Sequence, residues 1–497
     1  MYSRTWSPLF AEAGVGRPSS VAELGLWNER QTEAAARIEA GLDNVDLVRL
    51  VFCDPHGLAR SKTLTAQTFR SVLRNGMNFS PGPFVFDTGH AIAVDFTDDS
   101  GIGVDELTGA GNFLLVPDPL TFQVLPGEGP RTAWVLGDEY LRDGTPHPLS
   151  SRNVLRNVLA RYAQRELTPV LGLEVEWYLT RRLDRAPGNA GNGFGLQGAA
   201  PSVEAMNAGY QFNLDNRYDS VAHATDPLAL QLLELGLPLR SMEHESGPGQ
   251  IETTFNPMLA LDTADAMLLF RTFTKRQMAQ RGLHASFMSL PRLDSFDPSG
   301  WHLNQSVMDD RTGGNLFSAE GLTAGVSPQG KAYAEGLLAR AYDFCLLSVP
   351  TVNGYRRLGA DHSLSPTRIG WNFEDRTVML RMVGAEKASH IENRVGEPCA
   401  NPYLNIAAQL HAGLEGISGG PAERTGAQPE NLPQTLREAL DAFRAGPAAD
   451  LLGAPLAQCL ALLKESELSR FEAWRGQENP PPGEVTAWEQ REYFDTF

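Results

Sequence analysis

Apolar positions divide the chain into two regimes. From Val21 to Leu42, residues Leu24, Leu26, Trp27, Ala34, Ile38 and Leu42 recur near helical spacing and predict a helix. The run Leu47–Cys53 reads as a strand, Asp54-Pro55-His56-Gly57 as a turn, and Leu58–Leu64 as a returning hairpin partner. Further short strands are expected at Ala91–Asp95, Phe113–Pro117 and Thr132–Leu136. This β-rich stretch ends near Pro146-His147-Pro148, which reads as a linker. Beyond it, Val154, Leu155, Val158, Leu159 and Tyr162 share one face of a helix expected over Ser151–Arg165. A strand follows over Pro169–Thr180, then a Gly/Asn-rich surface loop over 186–200. Helices and short strands alternate to about Gly420. The remaining segment is mainly helical, with Leu436, Leu440 and Phe443, then Leu456, Leu460 and Leu463, as apolar faces. No internal repeat interrupts this order, and residues 1–20 form a Pro/Gly/Ser-rich leader.

Composition narrows the function classes. The 497 residues are 42% hydrophobic and 21% charged, which fits a folded globular protein and excludes a long disordered one. Lys and Arg number 42 against 60 Asp and Glu, a net charge of −18, the opposite of what a nucleic-acid or anionic-membrane binder carries. Cys53, Cys345, Cys399 and Cys459 are far apart, so no C-x-x-C site exists and reduced core thiols are expected. Neither a secretory leader nor a membrane span is recognisable, and a soluble cytoplasmic protein is expected.

Four segments can carry chemistry. In Gly172-Leu-Glu-Val-Glu-Trp-Tyr-Leu179, Leu173, Val175, Trp177 and Leu179 fall on one face of a strand, and Glu174, Glu176 and Tyr178 on the other. Two carboxylates about 7 Å apart fit either a solvated strand face or a divalent-metal pair, since adjacent carboxylates repel unless cations sit between them. In Glu245-Ser-Gly-Pro-Gly-Gln-Ile-Glu252, Gly-Pro-Gly forces a tight turn that can bring Glu245 beside Glu252; a surface hairpin is the alternative. The third segment is Ser299-Gly300-Trp301-His302, whose histidine is either structural or a ligand. The fourth is His390-Ile391-Glu392-Asn393-Arg394, where His390, Glu392 and Arg394 share a face if the segment is extended. Arg357, Arg376, Arg381 and Arg394 are either surface ion-pair partners or forked cations for carboxylate and phosphate. The motifs G-x-x-x-x-G-K-[ST], H-E-x-x-H and G-x-S-x-G are absent.

Taken in order, these pieces resemble the glutamine synthetase superfamily. The ordered set is G-x-E-x-E at Gly172–Glu176, E-x-G-P-G-Q-x-E at Glu245–Glu252, S-G-x-H at Ser299–His302 and N-x-Y-x-R at Asn353–Arg357. It continues with R-x-x-x-x-R at Arg376–Arg381 and I-E-x-R…N-P-Y at Ile391–Tyr403. The resemblance implies an α+β fold: a leader and helix over 1–44, a β-grasp domain over 45–146 and a catalytic α/β domain over 147–497. It implies a homo-oligomer of stacked rings, a dodecamer by expectation, with active sites between subunits. Glu176, Glu245 and Glu252 should hold one Mg²⁺ or Mn²⁺, and Glu174, His302 and Glu392 a second. Arg357 and Arg394 match arginines that hold glutamate in the family, Arg376 and Arg381 match phosphate-facing arginines, and Lys387 matches a lysine on the nucleotide side. Asp54 matches an aspartate lent to the amine site of the neighbouring subunit.

Departures from the family pattern select the branch. The glutamate that helps deprotonate ammonium and closes the family's site falls on Leu364, unless Asp361 takes that role. A second family histidine is Asn304, and the usual Asn-Gly before Ser-Gly is Asp297-Pro298. These changes bear on the acyl substrate. Arg60-Ser61-Lys62 resembles the R-G-K of γ-glutamyl-amine ligases, and Val485–Glu489 resembles the tail of non-housekeeping members. No adenylylation tyrosine is evident between Ile417 and Leu432. The expectation is an ATP-dependent γ-glutamyl amide ligase acting on glutamate and an organic amine, without nucleic-acid or membrane partners. An ammonia-using glutamine synthetase and a non-catalytic family member are the alternatives.

Overall fold

The computed structural model describes residues 20–183, 193–210, 212–319, 325–359, 362, 364–384, 386–420 and 430–497. The leader up to residue 19, residues 186–192 of the Gly/Asn-rich stretch, Asp361 and residues 421–429 lie outside the described residues. The chain forms two compact units. The first takes Phe113–His147, Ser61–Phe79 and the chain up to Phe52; the second takes Cys53–Arg60, Ser80–Asn112 and Pro148–Phe497.

The first unit is built on a mixed sheet. Its strands are β1 (Leu47–Cys53), β2 (Ala59–Thr65), β3 (Met77–Phe79), β4 (Phe113–Pro117) and β5 (Thr132–Tyr140), in the order β2-β1-β5-β4-β3. β1 and β5 run parallel with Leu47 opposite Thr132, and β4 pairs antiparallel with β5 and β3. β1 buries Val48, Leu50, Val51 and Phe52, and the Phe52 ring meets Phe79 and Phe113 edge-on at 4.9 and 5.4 Å. The helix Ala66–Asn75 buries Phe69, Val72 and Leu73; the Thr65 side chain caps its start by accepting from Thr68 N. The helical pattern over Val21–Leu42 resolves into Ser20–Glu23 and Glu29–Gly41. The break is chemical: Asn28 and Gln31 form a capping box that starts a new helix.

Ala91–Asp95, in the second unit, is not a strand. Only an isolated bridge joins Phe86 to Ile92. The Asp87 carboxylate accepts from Gly89 N and Ala91 N, and Asp87 N donates to Ala91 O, so a loop takes the groups a ladder would use.

The second unit is organised by a large sheet that is antiparallel except at one edge. Its main strands are β6 (Leu167–Arg182), β7 (Leu239–His244), β8 (Gln250–Phe255), β9 (Trp301–Asp309), β10 (Trp371–Phe373), β11 (Leu380–Val383) and β12 (His390–Asn393). They lie in the order β10-β11-β12-β9-β6-β8-β7, with β10 parallel to β11. On β6, Leu173, Val175, Trp177 and Leu179 are buried, and Trp177 stacks on Phe287, which meets Phe270 of the helix Ala260–Gln280. Period two then turns Glu174, Glu176 and Tyr178 to the opposite face. The helix Pro402–Ile417 is buried along nearly its whole length, which explains its lack of a polar side. Helices Leu436–Ala445 and Ala454–Glu478 bury the apolar positions expected of them. All four cysteines are free and buried, and no helix among the described residues is long and apolar enough to cross a membrane.

Candidate active site

Strand register assembles the acidic residues. Across β6 and β8, Glu176 stands opposite Glu252; across β8 and β7, Glu252 stands opposite Glu243. Across β6 and β9, Glu174 stands opposite His302 and Gly172 opposite Asn304. β12 then sets Glu392 opposite Asn304, and β11 sets Arg381 opposite Glu392. Residues far apart in the chain thus share one face of one sheet. His302 Nδ1 lies 2.8 Å from Glu174 Oε1 and 3.5 Å from Glu392 Oε1; His302 Nε2 lies 4.0 Å from Glu176 Oε1. Ligand atoms of Glu174, Glu252 and His302 all lie within 4.8 Å of one another.

Two glycine-bearing turns hold this row. In the Gly247-Pro248-Gly249 turn, Glu245 N donates to Gln250 O at 2.9 Å, and Gly249 has φ +76° where a Cβ would stand 2.4 Å from Leu179 O. Gln250 Nε2 donates to Glu176 Oε2 at 3.3 Å and to Ser299 Oγ at 3.0 Å. Gly300 N donates to Glu176 Oε2 at 2.9 Å, and a Cβ at Gly300 would stand 2.5 Å from Arg357 Nη2. The conspicuous Gly and Ser positions therefore serve to fix one carboxylate.

The electrostatics are unbalanced. Burial pushes Glu245 up to about 8, helped by the charge of Glu176. Burial likewise raises Glu252, with Glu174, Glu176 and Glu245 adding repulsion. Burial also raises Glu176, against the pull of His302 and Arg357. Burial works on Glu174 too, but the His302 hydrogen bond and the charges of His302 and Arg394 outweigh it and hold this carboxyl low. A buried acidic row with too few cations fits hard divalent ions, and an all-oxygen set with one imidazole suits Mg²⁺ or Mn²⁺.

A cavity of about 890 Å³ opens beside this row. Glu174, Glu243, Glu252 and Asn304 line it, together with Arg376, Arg381 and Lys387. Arg381 Nη1 donates to Glu392 Oε2 at 3.1 Å, joining the cationic wall to the acidic row. The cavity covers the Glu174 end of the strands, and Glu176, Glu245, Arg357, Arg394 and Leu364 are not part of its lining. At the other end, Arg394 Nη1 donates to Glu392 Oε1 at 2.5 Å and Nη2 reaches Leu364 O at 3.5 Å. Leu364 is 60% exposed. Arg357 is buried and donates to the carbonyls of Arg394, Val395 and Gly396, so much of its guanidinium is occupied by backbone. Asp54 is not brought to the row. Its carboxylate is fully buried, accepting from His56 N and Leu58 N at 2.9 Å and from Arg60 Nε at 2.6 Å. Sequence reasoning missed Glu243; the period-two spacing back from Glu245 was the available signal.

Residues 148–480 match the family model described as the catalytic domain of glutamine synthetase. The chain belongs to the glutamine synthetase family. Within that family it is 38% identical to a γ-glutamylanilide synthase of an Acinetobacter species, over 96% of this chain and 98% of that one. It is 31% identical to the type-1 glutamine synthetase 2 of Dictyostelium discoideum, over 74% of this chain and 68% of that one. Among solved structures, an ADP complex of GmaS superimposes with a TM-score of 0.69 at 25% identity, covering 92% of this chain and 98% of that one.

Proposed function

We propose that this protein is an ATP-dependent ligase that joins the γ-carboxylate of glutamate to an organic amine through γ-glutamyl phosphate. One observation carries the reading: a cavity lined by Arg376, Arg381 and Lys387 adjoins an acidic row with His302, while Leu364 stands at the opposite end. The full-length likeness to a γ-glutamylanilide synthase supports an amine with a carbon substituent.

In this reading ATP occupies the cavity, with Arg376, Arg381 and Lys387 facing its phosphates. Glu176, Glu245 and Glu252 would hold one divalent cation, and Glu174, His302 and Glu392 a second. When bound, the cations offset the charge of the two anionic reactants and of the transferring phosphoryl group. Arg394 is poised for a glutamate carboxylate. Arg357 adds fixed positive charge beside Glu176 and braces the segment from Arg394 to Gly396. Leu364 gives an apolar wall where an acid would favour ammonium.

The assignment extends to architecture. The mixed sheet β1–β5 with its amphipathic helix supports a β-grasp domain over 45–146, preceding a catalytic domain over 147–497. Family membership supports stacked rings, a dodecamer with sites between subunits, in a cytoplasmic enzyme. Asp54's place on the amine side rests on resemblance alone.

Phosphate release from ATP, measured with Mg²⁺, glutamate and aniline, ethylamine, ethanolamine, putrescine or ammonium, tests the reading. Release driven by an organic amine supports it. Release with ammonium alone means a glutamine synthetase. Silence with every amine means a different acyl substrate or a non-catalytic member.

A further inference from the structure

We propose that Asp297 is the proton acceptor for the incoming amine, the task that a leucine at position 364 leaves undone. The inference rests on the ligase reading above. The backbone of Asp297 is held firmly. Asp297 N donates to Tyr178 Oη at 2.7 Å, and that hydroxyl donates back to Asp297 O at 2.7 Å. The Tyr178 ring stacks on Phe296 with centroids 4.2 Å apart. One tyrosine thus holds both backbone groups of Asp297.

The Asp297 side chain is 39% exposed. Its location is given by Tyr178, two residues beyond Glu176 on the same face of β6. Gln250 Nε2 donates both to Pro298 O and to Glu176 Oε2, each at 3.3 Å, so the segment after Asp297 adjoins the Glu176 end of the acidic row, and Asp297 is not part of the lining of the cavity beside Arg376 and Lys387. Asp297 Oδ1 lies 3.9 Å from His362 Nδ1, and His362 precedes Leu364 by two residues. Tyr210 closes the surround: its phenol interacts electrostatically with Asp297, and its backbone N donates to Ser246 O at 2.6 Å, next to Glu245. Tyr210 is 58% exposed.

The groups facing Asp297 suit a base. Burial raises its pKa above the usual aspartate value, and the charge of His362 draws it back; Tyr178 and Tyr210 are the other titratable neighbours. The step balances. The amine lone pair forms the N–C bond to the acyl carbon, the C–O bond to phosphate breaks, and its electron pair leaves with phosphate. The N–H proton passes to Asp297 and from its exposed side chain to solvent.

The test compares two nucleophiles in the full-length protein. Hydroxylamine is a strong nucleophile that depends little on a base, and it traps the acyl phosphate as hydroxamate. The ratio of amide, from whichever of aniline, ethylamine or ammonium the unsubstituted protein uses, to hydroxamate should fall about 100-fold in Asp297→Asn. Asp297→Glu should restore most of it. A ratio that stays constant while both products fall together overturns the proposal, because that is what a structural or glutamate-holding role does. No hydroxamate from the unsubstituted protein overturns the ligase reading itself. Hydroxamate without any amide overturns the proposal alone.

Discussion

Glu252 faces Glu176 across neighbouring antiparallel strands, and Glu243 faces Glu252 from the other side. Like charges in register are destabilising unless something offsets them. A carboxyl whose pKa is raised on folding favours the folded state when protonated, so that stability is present below its unfolded value and lost as pH rises. With chelator, the melting temperature should therefore fall from about pH 4.5 upward, through about pH 8 for Glu245 and on to about pH 10 for Glu252. Glu174, held low, has the opposite sign and acts only below that window. Mn²⁺ should remove the fall. A flat metal-free profile counts against an uncompensated acidic row.

Glu252→Gln sharpens the point. It keeps the shape and removes the cost of protonating a buried carboxyl that would ionise in the unfolded chain, so the chelated protein should melt higher at about pH 8 than the unsubstituted one. Phosphate release should drop at least about 100-fold, and the Mn²⁺-induced rise in melting temperature should shrink. A substitution that lowers both activity and metal-free stability contradicts the assignment of Glu252 to a metal.

Leu364→Glu should raise ammonium-dependent phosphate release by about tenfold or more and lower turnover of an organic amine. The exposed side chain tolerates a charge without a folding penalty, since Leu364 is not part of the core. An unchanged ratio between ammonium and organic amine means that another residue sets the choice.

Arg376 and Lys387 are exposed and line the cavity, whereas Arg381 bridges Glu392 and Glu374. Removing either exposed charge should raise the KM for ATP about tenfold, the worth of one charge-assisted hydrogen bond, with the melting temperature unmoved. Arg381→Ala should lower both ATP binding and stability, because it leaves the buried Glu392 with one cation fewer. An unchanged KM for ATP in Arg376→Ala and Lys387→Ala would mean that the cavity is not the nucleotide site.

Much of this site was legible before the fold was known, for a physical reason. Glu174 and Glu176 alternate with Leu173, Val175 and Trp177, and a strand with one buried face has only one place to put them. The Gly-Pro-Gly turn also announced the β7–β8 hairpin. Other features depend on pairing between strands distant in the chain. Glu243 joins the row only because β8 lies between β7 and β6, and Asn304 enters it only through β9. The occupied guanidinium of Arg357 depends on carbonyls of the segment from Arg394 to Gly396. Ala91–Asp95 misled because apolar alternation outweighed Asp87, whose carboxylate organises a loop instead.

Asp54 distinguishes a fold-holding acid from an active-site one. Its Oδ1 accepts two backbone N–H groups and its Oδ2 accepts from Arg60. The turn it organises is tightly seated: Gly57 has φ +83°, a Cβ there would stand 2.7 Å from Asn401 Cα, and Arg271 Nη2 donates to Gly57 O at 2.7 Å. Asp54→Asn keeps one acceptor but turns a donor toward Arg60. It should cost about 2 kcal/mol, read as a lower denaturation midpoint, with Arg60 partly exposed and the loss moderated accordingly. Adding Arg60→Gln should recover a substantial part of that stability, because it removes the mismatched donor. Activity measured well below the melting temperature separates the two roles. A fold-holding Asp54 loses activity only as far as the turn loosens, and the double substitution regains it. A residue lent to a neighbouring amine site loses activity at full stability, and the double substitution regains nothing.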